Sequence, residues 1–545
     1  LKTQDKNLKQ KSKRNKRRME KEYEFWPDKI AKELVEKWKV KEQVIVTGTS
    51  MSGEPHIGNA NDVIRGHAIY LAVRDLGHKA KLIWISDNMD PLRSVPADMP
   101  NELKNYLGMP VCKIPDLFDG EHKSFTSHFE EKFLSELKEA FVKPKVLLGN
   151  EMYEKGMYNE VMKIAIANKD KIIEILNKFR KTPLTQEWYP IDVICENCGK
   201  IATTKILNCY VEEGKVEYVC SEEEILLHKK YPVKGCGYRG ERKFLDGGAK
   251  LTWRVEWPAR WSFLKATCEP FGKEHAAAGG SWDTAKEIVK IFGWNPPYPV
   301  VYEHFLVDGE KMSKSKGNVI TLQDIFQFVK PEHLRYWMFQ GRLTIAKNIC
   351  LKSMIPNLFD EFDKAERIYF GLETTGNKRK DNNFKRAYKL AKIKIPRKPG
   401  LQIKFDKLVE IAKILPEENQ VDFAIKKLGE WGIKVLPSQK KELLLRLKFA
   451  KRYYEKFGLV KVELKIDEKM KAALNSLISA IEKAKSGEEL QSQIFEIARA
   501  NQIEVSEFFK TIYKIILNAE KGPRLGPYIF EVGKEAIIGK IKALL

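Results

Sequence analysis

Lys311-Met-Ser-Lys-Ser-Lys-Gly-Asn318 gathers three lysines, two serines and a glycine in a short run with little apolar content. Ammonium groups neutralise phosphate charge and Gly317 lets the backbone pass close to an anion, so such a loop can wrap a triphosphate. Taken alone, a lysine-rich run is more often a solvated surface loop. A second element far upstream, Ser52-Gly-Glu-Pro-His-Ile-Gly-Asn59, shifts that balance. It follows the apolar run Val44-Ile45-Val46, which reads as a buried strand. It precedes a helical pattern carrying Val63, Ile64, Ala68, Ala72, Val73 and Leu76 near one face. Strand, glycine turn and helix together present a helix N-terminus to an anion. His56 and Asn59 are three residues apart and can address one bound group, although a capping or packed turn histidine is an equal reading of His56.

Cysteines form a second constellation. Cys195-Glu-Asn-Cys198-Gly has knuckle spacing, Cys220 follows, and Cys236-Gly completes a set of four. Four thiolates suit a tetrahedral structural zinc ion. The stretch between Cys220 and Cys236 is longer than a usual second knuckle, so Ser221 to Lys234 would have to loop out, and Cys209 and His228 are rival ligands. Cys112, Cys268 and Cys350 read as small buried hydrophobes.

The two phosphate-type elements resemble the paired signatures of class I aminoacyl-tRNA synthetases. Lys311 to Ser315 matches the Lys-Met-Ser-Lys-Ser loop residue for residue. His56-Ile57-Gly58-Asn59 is similar to the His-Ile-Gly-His turn, with asparagine last, as is typical of the lysine-specific members. Leu251 to Trp261, Phe271-Gly-Lys-Glu-His275 and Gly522-Pro-Arg-Leu-Gly526 resemble further segments of that lysine-specific group, with Glu274 where aspartate is usual. The resemblance implies a Rossmann-type α/β catalytic domain with a zinc-bearing insert and an all-α C-terminal domain for anticodon recognition. It implies ligation of L-lysine to tRNA(Lys) through an adenylate, with ATP as substrate, Mg²⁺ bridging its phosphates and structural Zn²⁺ in the insert. It implies that tRNA binds before the adenylate forms. His56, Asn59, Lys311 and Lys314 are the implied catalytic residues. Gly58, Gly272, Lys314 and Ser315 would hold ATP. Gly48, Ser50, Trp261, Glu274, His275 and Tyr302 would hold the amino acid, with an aromatic wall for the lysine stem. Ser50 stands where the group has threonine. Glu274 and Asp87 are the candidate partners for the substrate's side-chain ammonium. The metal ligands would be Cys195, Cys198, Cys220 and Cys236. A glutamyl enzyme and a noncatalytic tRNA-binding paralogue are the alternatives; Asn59 with the Trp253 to Trp261 run, and the intact His56, Lys311 and Lys314, speak against them respectively.

The chemistry asks for positioning rather than a covalent catalyst. A carboxylate attacks the α-phosphorus of ATP, so the protein must align the reactants and neutralise the phosphoryl transition state. ATP must enter and pyrophosphate leave, which calls for a loop that opens.

The length, 545 residues, calls for several domains. The expected division is a basic disordered tail over 1–20, catalytic halves over 21–185 and 251–320, a cysteine-bearing insert over 186–250, a helical connection over 321–375 and a helical anticodon-binding domain over 376–545. The tail holds nine Lys or Arg in its first 18 residues against Asp5 alone, and reads equally as an RNA-attracting arm or as untranslated sequence before Met19. Strands are expected at Val44 to Val46, Leu82 to Ile85 and Pro299 to Tyr302. Asp87 and Asp90 follow the second of these, in a loop whose ordering is their default role. Lys378 to Lys398 carries ten cations against Asp381 with Phe384 and Tyr388 interleaved, which suits single-stranded RNA or a charged linker equally. An excess of 97 basic over 74 acidic residues favours a polyanionic partner. No apolar run approaches the ~20 residues needed to span a bilayer. A cytoplasmic monomer is expected.

Overall fold

The apolar runs Val44–Val46 and Leu82–Ile85 lie at the centre of a parallel sheet. The computed structural model describes residues 25–96, 99–312, 318–458, 466–517 and 519–545, and the expected tail over 1–20 lies outside them. Five strands, β1 (Gln43–Thr49), β2 (Ala80–Ser86), β3 (Lys145–Leu148), β4 (Cys268–Gly272) and β5 (Tyr298–Tyr302), run in the order β5-β4-β1-β2-β3. Every neighbouring pair is parallel. This is a doubly wound sheet whose order reverses between β1 and β4, and ligands bind such sheets beyond the C-terminal strand ends at that reversal.

The helix Ile57–Asp75 follows β1 and is buried on more than one face. A Cβ on its Gly66 would stand 3.1–3.3 Å from side chains of Leu82, Thr47 and Ile45, so glycine permits this close helix–sheet approach. Leu76, expected on the buried stripe, lies past the helix end and is exposed.

The segment predicted as an insert is a separate β structure. Ile191–Val193 pairs antiparallel with Ala249–Leu251 at its neck. Beyond the neck, Thr204–Tyr210, Lys215–Cys220 and Arg239–Lys243 form an antiparallel ladder.

The chain packs as two units. The first contains the sheet and insert up to Phe326, together with Lys330–Cys350 and Gly371–Ile395; the second contains Gln327–Val329, Leu351–Phe370 and Pro396–Leu545. This division corrects the expected boundary at 376. The helix Lys378–Lys392 belongs to the first unit because it buries Ala387, Tyr388, Leu390 and Ala391 there. Its Arg386 pairs with Asp28 and Asp75, both at 2.6 Å. Tyr388 is fully buried and therefore is no base-stacking platform.

The second unit is helical among its described residues. The predicted stripes Leu443, Leu447 and Tyr454, and Leu474, Leu477, Ile478 and Ile481, are buried on Lys440–Phe457 and Glu468–Lys483. Phe508, Ile512 and Ile516 are buried on Val505–Leu517, with Ile515 half-buried. Gly526 has a packing role: its N–H donates to Gln491 Oε1 at 2.8 Å, and a Cβ there would stand 2.1 Å from the Gly487 carbonyl. Arg446 forms a buried two-pronged pair with Asp363 at 2.7 and 2.8 Å. Removing one partner of such a pair strands the other charge, so Arg446→Met is expected to destabilise this unit by about 3–5 kcal/mol. Denaturant melts should show the joint Arg446→Met, Asp363→Leu change recovering most of that loss.

Candidate functional site

Beyond the strand ends at the sheet reversal lies a cavity of about 410 Å³. Gly48 and Ser50 border it at the end of β1, Asp87 after β2, Gly272 at the end of β4 and Tyr302 at the end of β5. His56, Gly58 and Asn59 enter from the helix N-terminus, and Lys311 and Met312 from the second signature. The two distant segments therefore meet. The Ile57 N–H donates to the Ile320 carbonyl at 2.8 Å, joining the first signature to a residue two positions past the second. Met312 reaches Gly58: a Cβ on Gly58 would lie 3.5 Å from its Cε. Lys314 and Ser315 lie outside the described residues.

His56 is the helix N-cap, and its capping and ligating roles are compatible. Nδ1 accepts from the Gly58 N–H at 3.0 Å, while the His56 N–H donates to Asn59 Oδ1 at 3.0 Å. With Nδ1 an acceptor, the neutral ring carries its proton on Nε2, a donor suited to phosphate. Gly58 is required here, since a Cβ would come within 2.7 Å of the imidazole.

Trp253 and Trp257, one turn apart on the helix Trp253–Leu264, stack at 5.4 Å between ring centres. His275 lies 5.4 and 5.5 Å from these two rings, and all three line the cavity. Trp261 is placed differently from the expectation: it is fully buried, does not line the cavity, and turns its indole N–H to Glu269. Trp257 donates to the same carboxylate at 2.6 Å. The three tryptophans are spaced four residues apart, so successive rings drift by about 40° round the helix, and the third falls in the core beside Glu269 of β4.

Asp87 and Glu274, the expected ammonium partners, both line the cavity but have other attachments. Asp87 takes the Arg260 guanidinium at 2.6 Å, and Glu274 lies 3.3 Å from His304. Asp90 pairs with Lys250 at 3.0 Å. Two acids escaped the sequence reading. Glu269 at β4 is driven up to about 7 by burial, with Arg260 and the two indoles opposing. Asp62, one turn into the helix Ile57–Asp75, retains some exposure at the cavity, yet its Oδ1 is sealed from solvent and has no hydrogen-bond partner. Burial, then repulsion from Glu269 and Glu274, pushes its carboxyl well above the usual range, and Arg65 offsets this only in part. Arg65 spends its guanidinium elsewhere, donating to Asn61 at 2.6 Å and lying 5.4 Å from the Tyr302 ring centre. Among the described residues, four acids (Asp62, Asp87, Glu269, Glu274) and two basic side chains, Arg260 and Lys311, line the cavity. Acids on this wall offer acceptors to a cationic group.

In the insert, the Sγ atoms of Cys195, Cys198, Cys220 and Cys236 lie within 4.8 Å of one another. Cys195–Cys236 and Cys198–Cys220 are 3.7 and 3.6 Å apart, matching the ~3.8 Å edge of a tetrahedron with metal–sulfur bonds of ~2.3 Å. The two halves are equivalent knuckles. Gly199 N–H donates to Cys195 O as Gly237 N–H donates to Cys220 O, each at 2.9 Å. The predicted excursion loops out as the hairpin Ile225–Leu227 and Tyr231–Val233, closed at its base by Gly235 N–H to Ser221 O at 2.8 Å. Cys209 and His228 stand outside the cluster. A second donor set, Asp116, Asp119, His122 and His128, was legible only as scattered polar residues. His122 Nδ1 lies 3.2 Å from Asp116 and 3.3 Å from Asp119, an oxygen and nitrogen set that could also hold a divalent metal.

Comparisons with known proteins identify the family of the chain. Residues 24–394 match the family model described as tRNA synthetases class I (K). A lysine–tRNA ligase of Methanocaldococcus jannaschii is 35% identical over 94% of this chain and 98% of its own length. Those of Methanosphaera stadtmanae and Pyrococcus horikoshii are 32% and 33% identical, each over 95% of this chain and 99% of theirs. A crystal structure of a glutamate tRNA ligase from Elizabethkingia meningosepticum covers 92% of this chain and 98% of that one at 14% identity and a TM-score of 0.40, too slight a likeness to bear on specificity. The near full-length relatedness, carried by a chain whose two signature segments converge on one crevice, makes this protein a member of the class I (K) tRNA synthetase family.

Proposed function

We propose that the chain ligates L-lysine to tRNA(Lys) in two steps, with ATP as co-substrate. The lysine carboxylate attacks the α-phosphorus of ATP and expels pyrophosphate. A hydroxyl of the tRNA terminal ribose then attacks the adenylate carbonyl and releases AMP. The observation that carries this reading is the convergence of His56, Asn59 and Lys311 on one crevice at the sheet reversal. His56 Nε2 and the helix N-terminus donate to the triphosphate, while Lys311, with Lys314 and Ser315, closes from the other side. Gly58 and Gly272 leave room for the nucleotide. Mg²⁺, when bound, neutralises phosphate charge. Trp253, Trp257, His275 and Tyr302 enclose the lysine stem, near Gly48 and Ser50. Asp62 meets a substrate ammonium. Asp62 and Glu274 on the described wall disfavour glutamate as the amino acid, since a second carboxylate would lie beside them. Structural Zn²⁺ on the four cysteines holds the insert together. The described helices include none long and apolar enough to cross a membrane, and eight cysteines outside any disulfide suit a cytoplasmic setting.

Charging tRNA(Lys) with each of the twenty amino acids tests the assignment. Lysine alone should be attached; attachment of glutamate or arginine in its place rejects it. The two roles of His56 separate by substitution. Asn is a good N-cap but lacks the imidazole donor, so His56→Asn should keep stability while lowering kcat by roughly 10²–10³-fold. His56→Ala should lose the same activity and about 1 kcal/mol of stability as well. Equal activity in His56→Asn and the unsubstituted protein would leave His56 as a cap only.

A further inference from the structure

A second hollow of about 640 Å³ lies at the opposite end of the sheet, where β2 begins at Ala80 and β3 at Lys145. A seven-residue strand such as β2 spans about 20 Å, which separates it from the catalytic crevice. Lys81, Lys138, Lys143 and Lys145 line this hollow, and no Asp or Glu does. Lys81 is paired with Glu42 at 3.3 Å. The other three ammoniums are on exposed side chains around one concavity.

Positive charge also lies behind the wall. Arg335 is fully buried, and its four partners are all neutral: the carbonyls of Ala140, Leu390 and Ala391, and His67 Nδ1 at 3.2 Å. His67 lines the hollow, and with Nδ1 accepting from Arg335 its ring proton sits on Nε2 as a donor. Burial, then the Arg335 charge, holds His67 well below its usual pKa, so it stays neutral. Arg335 thereby ties together three walls of the hollow, and its buried guanidinium makes no hydrogen bond to a carboxylate, Glu332 answering its charge only through space. The rim is strained. Ile393 has φ +60°, unfavourable for a β-branched residue, at the centre of a turn closed by Lys394 N–H to Lys392 O at 2.6 Å. Such strain collects at ligand clamps. Phe141, also at positive φ and 45% exposed, offers an aromatic face there.

We infer that this hollow binds a free nucleotide, its phosphates on the lysines and its base against Phe141. The volume suits one small ligand, within the ~300–1,000 Å³ of such sites. A single-stranded RNA would instead track a groove with successive aromatic platforms, and here there is one hollow in which Phe141 is exposed and Tyr70 is half-buried and stacked on His67. The site is independent of the catalytic reading.

Equilibrium dialysis with labelled ATP tests this on the full chain. The unsubstituted protein should retain two nucleotides. Lys143→Glu combined with Lys145→Glu should weaken one of them at least tenfold and leave lysine charging intact, while His56→Ala weakens only the other. The double Ala variant serves if the Glu pair fails to fold, as judged by circular dichroism. One retained nucleotide in the unsubstituted protein, or stoichiometry unchanged by the double variant, overturns the inference. So does a double variant that keeps two nucleotides but loses affinity for tRNA, which would make the patch an RNA surface.

Discussion

Asp62→Asn is expected to raise the KM for lysine about a hundredfold while making the empty protein more stable. Losing one partner of a buried charge pair costs about 3 kcal/mol, which corresponds to that factor. The gain in stability comes from the same geometry. In the empty cavity Asp62 Oδ1 is sealed and unpaired, with Glu269 and Glu274 repelling it. Its folded carboxyl therefore holds a proton more readily than the unfolded chain does. Its contribution to stability is full below the unfolded pKa and is lost as pH rises through the raised folded value. Asparagine removes that dependence, so the variant's advantage in thermal melts should widen with increasing pH. Lysine affinity of the unsubstituted protein should run the other way and weaken on acidification, as Asp62 takes up a proton. Steady-state charging with lysine as the varied substrate measures the first effect and melts at several pH values the second. An unchanged KM beside a raised melting temperature would mean that Asp62 does not face the substrate.

Cys198→Ser is expected to remove one equivalent of zinc and to unfold the insert. Structural zinc held by thiolates contributes about 10–16 kcal/mol in small domains, comparable to or above the ~5–15 kcal/mol that holds a whole domain folded. The insert has reason to depend on it. Its ladder Thr204–Tyr210, Lys215–Cys220 and Arg239–Lys243 exposes alternate residues on both outer strands. The two knuckles tie the start of the insert to both ends of its excursion. Elemental analysis should show the loss, and hydrogen exchange should show the ladder amides losing protection. Cys209→Ser should change neither, since Cys209 lies outside the thiol cluster. Zinc content identical in Cys198→Ser and the unsubstituted protein would falsify the assignment.

Local residue order determined much of this protein. The strand, glycine turn and helix at Val44 to Asp75, the loop at Lys311, and the two knuckles depend on backbone freedom, capping and short-range spacing, which neighbouring residues set. So do the apolar stripes of the helical unit, because a period of about 3.6 residues fixes one face whatever it packs against. The buried acids at the cavity are another matter. Asp62 has no distinguishing neighbours in sequence, and its raised carboxyl arises from burial at the cavity, with Glu269 of β4 and Glu274 beside it, while Arg65 turns to Asn61 and Tyr302. Trp261 and Tyr388 reversed their expected roles for the same reason: helical spacing names a face, but only packing decides whether that face meets a cavity or the core. The stretch Lys378 to Lys398 suits single-stranded RNA and a charged linker equally by sequence, whereas in the fold its helix gives Arg386 to Asp28 and Asp75, more than 300 residues upstream. Charge and type are written along the chain, whereas desolvation and pairing depend on which distant residues share a space, and only the tertiary fold chooses those.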